Sequence, residues 1–508
     1  MLARWVRAAH TVRRSFSAEA WGESRPRPAS SSTSGRDTLG RRLLKLIFPK
    51  RSAVITLRKW AEEGKPLRKY ELNSVVRELR NYRRYKHALE VCEWMVTQHD
   101  IKLLPGDYAI HLDLISKVHG LGSAEKFFID LPEQMKGQFT CTSLLHSYVQ
   151  NNLCTKAEAL MDKMKECGFI TIPTPYNHML ALYVSRAQLE KIPALVKELK
   201  EITSPDILSY NLLLKASATC NDVEGAEMIF LELKKGNIVA DWVTYSTLAG
   251  IYLKANLVEK AEYALKEMEK RVSKKERVAY CSLITLHANL SGKDEAYRIW
   301  KKMKSSFRNM NDAEYTCMIS SLVKLGDVKE AESLYDEWES LSGTHDARIP
   351  NVLLQEYIKD NTMDKAEKFH ELTVQRGITP SYGTWEILAW GYIKAKKMDK
   401  VLDCLKNGLS SVRKWEPNIE IIEAVFNNLE MLGDTKGAER FLVILRDAGH
   451  VTTDIYNSLL RTYVRAGKMP LIVAERMRKD YVELDEETHK LIRVTSKLRI
   501  GEVSTILS

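Results

Sequence analysis

Apolar and polar residues alternate along this chain at two superimposed spacings. Locally, apolar positions recur three, four or seven residues apart, as at Tyr245, Leu248 and Tyr252, and this spacing predicts amphipathic helices. Over longer distances the pattern returns every 35 residues in columns of identical residues: Tyr210, Tyr245, Tyr280 and Tyr315, and Ala226, Ala261, Ala296, Ala331 and Ala366. A fixed period shared by independent columns indicates a repeat protein.

Each repeat contains two predicted helices with a short break between them. In residues 241–276 the first helix carries Tyr245 and the second carries Ala261, while Ala255 and Asn256 form the break. The small Ala side chain lets the two helices approach closely. One such hairpin cannot bury both of its apolar faces, so neighbouring hairpins must stack to share a core. The sequence therefore predicts an all-α solenoid with a long concave surface.

Five segments carry a resemblance to a known family. Residues 205–211 and 241–246 resemble the start of a pentatricopeptide repeat, and residues 226–233 and 261–268 resemble its second helix. The segment 69–105 is similar to the P-type arrays of plant members of this family. The resemblance implies a right-handed α-solenoid superhelix of about twelve helix-turn-helix repeats of 35 residues.

The repeats and the segments around them predict four regions. These are a transit peptide with a disordered linker at 1–36, N-terminal capping helices at 37–68, the repeat array at 69–485 and a C-terminal capping segment at 486–508. The first region is rich in Arg and has no acid before Glu19, which is typical of a mitochondrial transit peptide. The predicted location is the mitochondrion, with the chloroplast as the alternative.

The net charge of +11 is unevenly distributed. The first 86 residues contain 22 Lys and Arg against 7 Asp and Glu, and the remainder of the chain has a net charge of −4. The array is therefore not a general binder of polyanions. Basic residues near the N-terminus are candidates for phosphate contacts, or else form an ordinary solvated helix face: Arg41, Arg42, Arg77, Arg80, Arg83, Arg84 and Lys86.

Several classes of function lack their sequence signals. The chain has no apolar run long enough to span a membrane, no CxxC pair, and none of the HExxH, P-loop, GxSxG or GxGxxG motifs. The eight Cys are sparse, which suits reduced thiols. We therefore predict no enzyme activity, no catalytic residue, no metal site, no cofactor, no membrane association and no small-molecule substrate.

The resemblance implies that each repeat reads one RNA base through its fifth and last residues. The pairs Asn177–Asp206, Asn211–Asp241 and Asn457–Asp485 resemble uracil readers. Thr316–Asp346 resembles a guanine reader and Asn351–Ser381 a cytosine reader. Three further candidates depart from the common pairs: Ser246, Cys281 and Asn311. The alternative is that these Asn and Asp residues only cap helices.

The second residue of each repeat is implied to sandwich the base, and Leu208, Val243 and Val278 are apolar there. Over residues 173–346 the predicted ligand is 5′-U-U-N-N-G-3′. The leading hypothesis is a mitochondrial adaptor that holds single-stranded RNA for processing, stability or translation. One alternative is a structural component of the mitochondrial ribosome that contacts rRNA and ribosomal proteins, and another is a protein-binding scaffold without RNA.

Overall fold

The computed structural model describes residues 38–46, 52–98, 100–341, 343–412, 415–416 and 418–500. The predicted transit peptide and linker at 1–36 lie outside the described residues, as do residues 501–508 of the C-terminal segment. The chain divides between Leu286 and His287 into two compact units. Each unit is described by itself below.

The first unit consists of consecutive α-helices. They are α1 (Leu39–Leu44), α2 (Ala53–Glu62), α3 (Lys69–Asn81), α4 (Tyr85–Val96), α5 (Pro105–His119), α6 (Leu121–Asp130), α7 (Gln138–Gln150), α8 (Cys154–Glu166), α9 (Thr174–Ser185), α10 (Ile192–Ile202), α11 (Ile207–Cys220), α12 (Val223–Lys235), α13 (Trp242–Lys254), α14 (Val258–Arg271) and α15 (Arg277–Asn289), whose last residues belong to the second unit. Short 3₁₀ turns at Glu133–Met135 and Leu189–Lys191 precede α7 and α10.

The second unit continues the same succession. Its helices are α16 (Lys293–Ser306), α17 (Asp312–Lys324), α18 (Val328–Leu341), α19 (Arg348–Lys359), α20 (Met363–Gln375), α21 (Tyr382–Lys394), α22 (Met398–Ser410), α23 (Ile419–Leu432), α24 (Thr435–Asp447), α25 (Thr453–Ala466), α26 (Val473–Lys479) and α27 (Glu486–Thr495). Two-residue strands, β1 (Lys468–Met469) and β2 (Arg499–Ile500), pair in parallel. Within the described part of the chain, successive helices pair as hairpins from α3 to α14 in the first unit and from α17 to α24 in the second, which confirms the all-α repeat fold.

A residue in the left-handed conformation turns the chain between the two helices of most hairpins. Asn221 and Asn256 have φ of 55° and 58°, and Gly326 has φ of 78°. Asn and Gly tolerate this region best. In the hairpin of α15 and α16 the residue with positive φ is Ser291, and Gly292 instead precedes α16 as its N-cap. The break is therefore a fixed turn rather than a flexible joint.

The invariant Ala column lies where the two helices of a hairpin cross. Ala226, Ala261, Ala296, Ala331 and Ala366 have no exposed surface. The Tyr column on the first helices is also buried, with Tyr210, Tyr245, Tyr280 and Tyr315 at most 5% exposed. Both columns thus contribute to the shared core that the 35-residue period predicts. No helix among the described residues is long and apolar enough to cross a lipid bilayer.

Polar side chains join consecutive hairpins at the edge of this core. In each such set, a Glu on the second helix of one hairpin meets a Tyr and a Lys of the next hairpin. The sets, called clasps below, are Glu125–Tyr148–Lys156, Glu158–Tyr183–Lys191, Glu227–Tyr252–Lys260, Glu332–Tyr357–Lys365 and Glu367–Tyr392–Lys400. Burial and the bond to Glu227 raise the pKa of Tyr252 to about 12, so its hydroxyl remains a donor.

Candidate nucleic-acid interface

The start of α13 shows the contacts of one predicted base-reading pair, Asn211 and Asp241. Asp241 is the N-cap of α13, and its Oδ1 accepts a hydrogen bond from the backbone N of Thr244 at 2.9 Å. Asn211 of the preceding hairpin donates from Nδ2 to the same Oδ1 at 3.2 Å. The Thr244 hydroxyl lies 2.7 Å from Asn211 Oδ1 and donates to it. One carboxylate thus caps a helix and also holds the amide of Asn211.

The same arrangement occurs at two other predicted pairs. Asn177 Nδ2 donates to Asp206 Oδ1 at 3.0 Å, and Ser209 donates to Asn177 Oδ1 at 2.7 Å. Near the C-terminus, Asn457 Nδ2 donates to Asp485 Oδ2 at 3.1 Å and Thr488 donates to Asn457 Oδ1 at 2.7 Å. The structure therefore brings together all three pairs predicted to read uracil.

The network fixes which way each Asn amide faces. A carboxylate can only accept, so the NH₂ group must point toward Asp, and the carbonyl oxygen then faces the hydroxyl. Each amide retains one N–H and one oxygen lone pair for a further partner. Hydrogen bonds from the Thr488 backbone and hydroxyl lower the pKa of Asp485, which keeps this carboxylate charged. A pre-oriented amide of this kind can recognise one base edge.

The three amides differ in how accessible they are. Asn211 is 9% exposed, whereas Asn177 is 3% and Asn457 is 1% exposed. A base can therefore approach Asn211 with the least rearrangement. The hydroxyl residues Ser209, Thr244 and Thr488 were not among the sequence predictions. Each of these hydroxyl residues stands three residues after an Asp, and this capping-box spacing could have identified them from the sequence.

The predicted base-sandwiching residues lie one turn before the predicted base-reading residues Asn211, Ser246 and Cys281. Leu208 is 44% exposed and Val278 is 41% exposed, while Val243 is half-buried. At the same register, Tyr70 on α3 and Phe139 on α7 are 63% and 56% exposed. These two aromatic residues were missed, although they occupy the second position of their helices.

The predicted guanine reader is not assembled in the second unit. Thr316 donates its hydroxyl to the backbone oxygen of Asp312 at 2.7 Å, within its own helix. Asp346 instead forms an ion pair with Arg348, whose Nη2 lies 2.5 Å from Asp346 Oδ2. This pairing lowers the pKa of Asp346. Arg348 thus competes with any base for the carboxylate.

The remaining candidates also make other contacts. Ser381 forms hydrogen bonds with Thr384 at the start of α21. The buried Oδ1 of Asn351 has no hydrogen-bond partner among the described residues. Ser246 lies 2.7 Å from Ser282, hydroxyl to hydroxyl. Asn311 caps α17 together with Glu314. Cys281 is half-buried on α15.

Two further pairs form that were not predicted to read bases. Asn418 donates to Glu386 Oε1 at 2.6 Å, which places a carboxylate in the base-reading register of α21. Asn73, the fifth residue of the segment that begins at Lys69, donates to Asp107 Oδ1 at 3.1 Å, so the first repeat also has a carboxylate partner at this position. Asp107 also pairs with Lys69 at 2.6 Å. The Asn73–Asp107 pair was missed because the repeats at the N-terminal end depart from the 35-residue period.

The basic candidates near the N-terminus divide into two groups. Arg42 pairs with Glu63 at 2.5 Å and lowers the pKa of that carboxyl to about 2, and Arg80 pairs with Asp113 at 2.8 Å. Arg84 donates to the backbone oxygen of Leu44 at 2.5 Å. The other four are exposed to solvent: Arg41, Arg77, Arg83 and Lys86.

A column of lysines at the last turn of the first helices was also missed. Lys254, Lys324, Lys359 and Lys394 end α13, α17, α19 and α21, at multiples of the 35-residue period. Lys324 donates to Asn289 Oδ1 at 2.5 Å, and Lys359 pairs with Glu356 at 2.8 Å. The 35-residue period of the sequence could have indicated this column of lysines. These ammonium groups are suited to phosphate contacts.

Metal binding has no support in the part of the chain that the structure describes. No group of three or more His, Cys, Asp or Glu side chains is arranged to hold an ion there.

Burial lowers the pKa of His178 to about 4, and it also lowers the pKa of His146, whose ring lies 4.9 Å away. Both rings are therefore neutral at physiological pH and add no positive charge to this region.

These observations define a class of protein, an α-helical repeat protein whose first helices carry ordered polar networks. Comparison with known proteins gives the family. The pentatricopeptide repeat family model matches residues 205–251, and a single-repeat model matches residues 139–169, 243–271, 278–306 and 315–342.

Two curated relatives come from Arabidopsis thaliana. The chain is 63% identical to pentatricopeptide repeat-containing protein At4g02820, mitochondrial, over 93% of this chain and 89% of that protein. It is 33% identical to At4g21705, mitochondrial, over 91% of this chain and 95% of that protein. A crystal structure of PPR10 from maize matches with 18% identity and a TM-score of 0.41, covering 90% of this chain and 70% of that chain. The chain belongs to the pentatricopeptide repeat family, and the labels of its relatives confirm the mitochondrial location.

Proposed function

We propose that this protein binds single-stranded RNA along the first helices of its hairpins and acts as a mitochondrial adaptor for RNA processing, stability or translation. The observation that carries the proposal is the Asn–Asp–hydroxyl network, which recurs at Asn177 and Asn211 in adjacent repeats. Repeats of this family read RNA one base at a time through two or three side chains. Ordered amides at one repeat's separation suit that task.

The geometry favours two adjacent uracils as the specific contact. Asn177 and Asn211 present amides of the same orientation, and the exposed Leu208 lies one turn before Asn211 on α11. The guanine expected at Thr316 receives less support, because Arg348 forms an ion pair with Asp346. In the second unit, Glu386 and Glu423 place carboxylates in the base-reading register, which disfavours phosphate nearby. We assign no catalytic step to this site.

A gel-shift titration tests this proposal. The full chain should bind an oligonucleotide containing 5′-UU at least tenfold more tightly than a scrambled one, and Asn211→Ala should remove most of that preference. Asn407→Ala is the matched control, since Asn407 is exposed on the second helix α22. Equal binding to both oligonucleotides, unaffected by Asn211→Ala, would contradict specific recognition.

The ribosomal alternative makes a different prediction. A structural component of the mitochondrial ribosome would contact rRNA through charge and shape, and the exposed Arg41, Arg77, Arg83 and Lys86 are suited to that role. Sedimentation of mitochondrial extract separates the two possibilities. We expect the protein outside the ribosomal-subunit fractions, in complexes that dissociate after ribonuclease treatment. Stoichiometric co-sedimentation with one subunit would favour the ribosomal role instead.

A further inference from the structure

An open cavity lies between α12, α13 and α14, on the side of the array formed by the second helices. It has a volume of about 210 Å³, and aromatic rings form most of its walls: Phe230, Tyr245, Tyr252 and Tyr263. Leu248 and Ala264, each 1% exposed, form its floor. For scale, an engineered apolar cavity of about 150 Å³ binds benzene. This cavity can therefore hold one large apolar side chain.

A later repeat carries a phenyl ring at the corresponding place. Four residues of the open cavity have a similar counterpart 105 residues, or three periods, later: Tyr335 for Phe230, Leu353 for Leu248, Tyr357 for Tyr252 and Lys365 for Lys260. Phe369 is the counterpart of Ala264, and its ring centroid lies 5.2 Å from that of Tyr335 and 5.5 Å from that of Tyr357. The later repeat has Pro350 in place of Tyr245. The open cavity thus has the small Ala264 at the position from which a phenyl ring packs between two aromatic rings in the later repeat.

The rim of the open cavity is apolar where the later repeat is polar. Met228 and Leu231 on α12 are 66% and 55% exposed, and Tyr263 on α14 is 58% exposed. Their counterparts 105 residues later are Ser333, Asp336 and Lys368. Exposed apolar side chains that stand where the later repeat has polar or charged ones indicate a candidate interaction site. The difference coincides with Ala264 in place of Phe369.

The charges around the cavity indicate the character of its partner. Glu259 lines the opening and has no ion-pair partner among the described residues. The nearby cations are engaged, since Lys260 pairs with Glu227 at 2.6 Å and Arg271 with Glu267 at 2.7 Å. Lys234 lies over the ring of Phe230, 4.3 Å from its centroid. The carboxylate of Glu259 therefore remains for a basic group of the partner.

We propose that this surface binds an amphipathic segment of a partner protein, which inserts one Phe or a similarly large apolar side chain into the cavity and places a Lys or Arg against Glu259. The inserted ring takes the position that Phe369 takes in the later repeat. Anchoring by one buried aromatic residue, surrounded by an apolar rim, is how many protein interfaces gain their affinity. Neither Asn211 nor Asp241 is among the residues that line this cavity.

Fluorescence polarisation with designed peptides tests this inference on the full chain. The probe is a labelled amphipathic helical peptide with a central Phe and a Lys one turn away, and its matched peptides replace Phe with Ala or Lys with Glu. We expect the parent peptide to bind at least tenfold more tightly than either matched peptide. Ala264→Phe, which fills the cavity, should weaken binding at least tenfold. Lys368→Ala, at the counterpart of Tyr263, should have no effect.

Reversing the charge at Glu259 tests the inference without the substitution of the buried Ala264. Glu259→Lys should weaken the parent peptide and restore binding of the peptide that carries Glu in place of Lys. The inference is overturned if all three peptides bind equally, or if neither Ala264→Phe nor Glu259→Lys changes the affinity. It is also overturned if Ala264→Phe lowers RNA affinity while peptide binding is unchanged, because the surface would then be a nucleic-acid contact.

Discussion

At the scale of single residues, the same carboxylate oxygen caps a helix and orients an amide. Asp241 Oδ1 accepts from the Thr244 backbone and from the Asn211 amide, at 2.9 and 3.2 Å. A capping role for such Asp residues is therefore compatible with the proposed binding role. Because the cap is part of a helix, the amide is already ordered in the protein without RNA, which would reduce the entropy lost on the proposed binding.

The Thr244 hydroxyl is the part of this network that can be removed most selectively. Thr244→Val keeps the branched shape but leaves Asn211 Oδ1 without its donor. We expect about a fivefold loss of affinity for a uridine-containing oligonucleotide, in keeping with about 1 kcal/mol for one hydrogen bond. Titration of RNA at constant salt measures it. Thr247→Val is the control, because its hydroxyl bonds only to Val243 O of the same helix. Equal losses in both variants would argue against the network.

The sequence predicted some of these contacts and not others, for identifiable reasons. Asn177–Asp206 and Asn211–Asp241 follow from the repeat register, because the fifth residue of each repeat lies beside the Asp that caps the next helix. Thr316 and Asp346 share the 35-residue register, but Ala347 rather than Asp346 is the N-cap of α19, and each has a nearer partner in Asp312 O and Arg348. Such local competition depends on rotamers, which the repeat pattern does not specify.

At the scale of helices, the clasps link each hairpin to the next. Glu332 accepts from Tyr357 and from Lys365, each at 2.6 Å. The 35-residue period predicted the stacking of hairpins, because buried Ala and Tyr columns can be read directly from the sequence. It did not predict the clasps, because their Glu and Lys members belong to residue types that usually point into solvent.

The Glu332 clasp gives a pH-dependent contribution to stability. Burial alone would raise the pKa of Glu332, but the bonds from Lys365 and Tyr357 outweigh it and lower the pKa below 4.5. A lowered pKa means that the stabilisation is present above about pH 4.5 and is lost as the pH falls below that value. Glu332→Gln should cost about 0.5 kcal/mol at pH 7, since the pair is partly screened by solvent, and almost nothing at acidic pH.

Urea unfolding midpoints of Glu332→Gln and the parent chain at the two pH values measure this difference. Glu330→Gln is the matched control on the same helix, because Glu330 is exposed and outside the clasp. A difference between Glu332→Gln and the parent that persists unchanged at acidic pH would contradict the assignment.

The buried ion pair near the C-terminus gives a larger effect. Glu439 and Arg476 have side chains 10% and 8% exposed, and their atoms lie 2.5 Å apart. Arg476→Met would leave Glu439 buried with only Tyr463 as a donor, at a cost of about 3 kcal/mol. The double variant Glu439→Leu with Arg476→Met should recover most of that loss in thermal unfolding. A single variant as stable as the parent chain would show that the pair is dispensable.

At the scale of the whole molecule, charge and recognition are separated along the chain. Basic residues are concentrated in the first 86 positions, while the ordered amides at Asn177 and Asn211 belong to a stretch with little net charge. Affinity and specificity should therefore respond to different substitutions. Salt should weaken binding mainly through the lysine column and the exposed N-terminal arginines, whereas base preference should depend on the amides.

The central claim is that Asn211, held by Asp241, selects the base opposite its repeat. The most direct test is to change its specificity rather than remove it, by measuring the affinities of the parent chain and of Asn211→Thr for two RNAs that differ only by U or G at that position. The parent should prefer U and Asn211→Thr should prefer G, each by about tenfold, which corresponds to about 1.4 kcal/mol. If both proteins bind both RNAs with the same affinity, the claim is wrong.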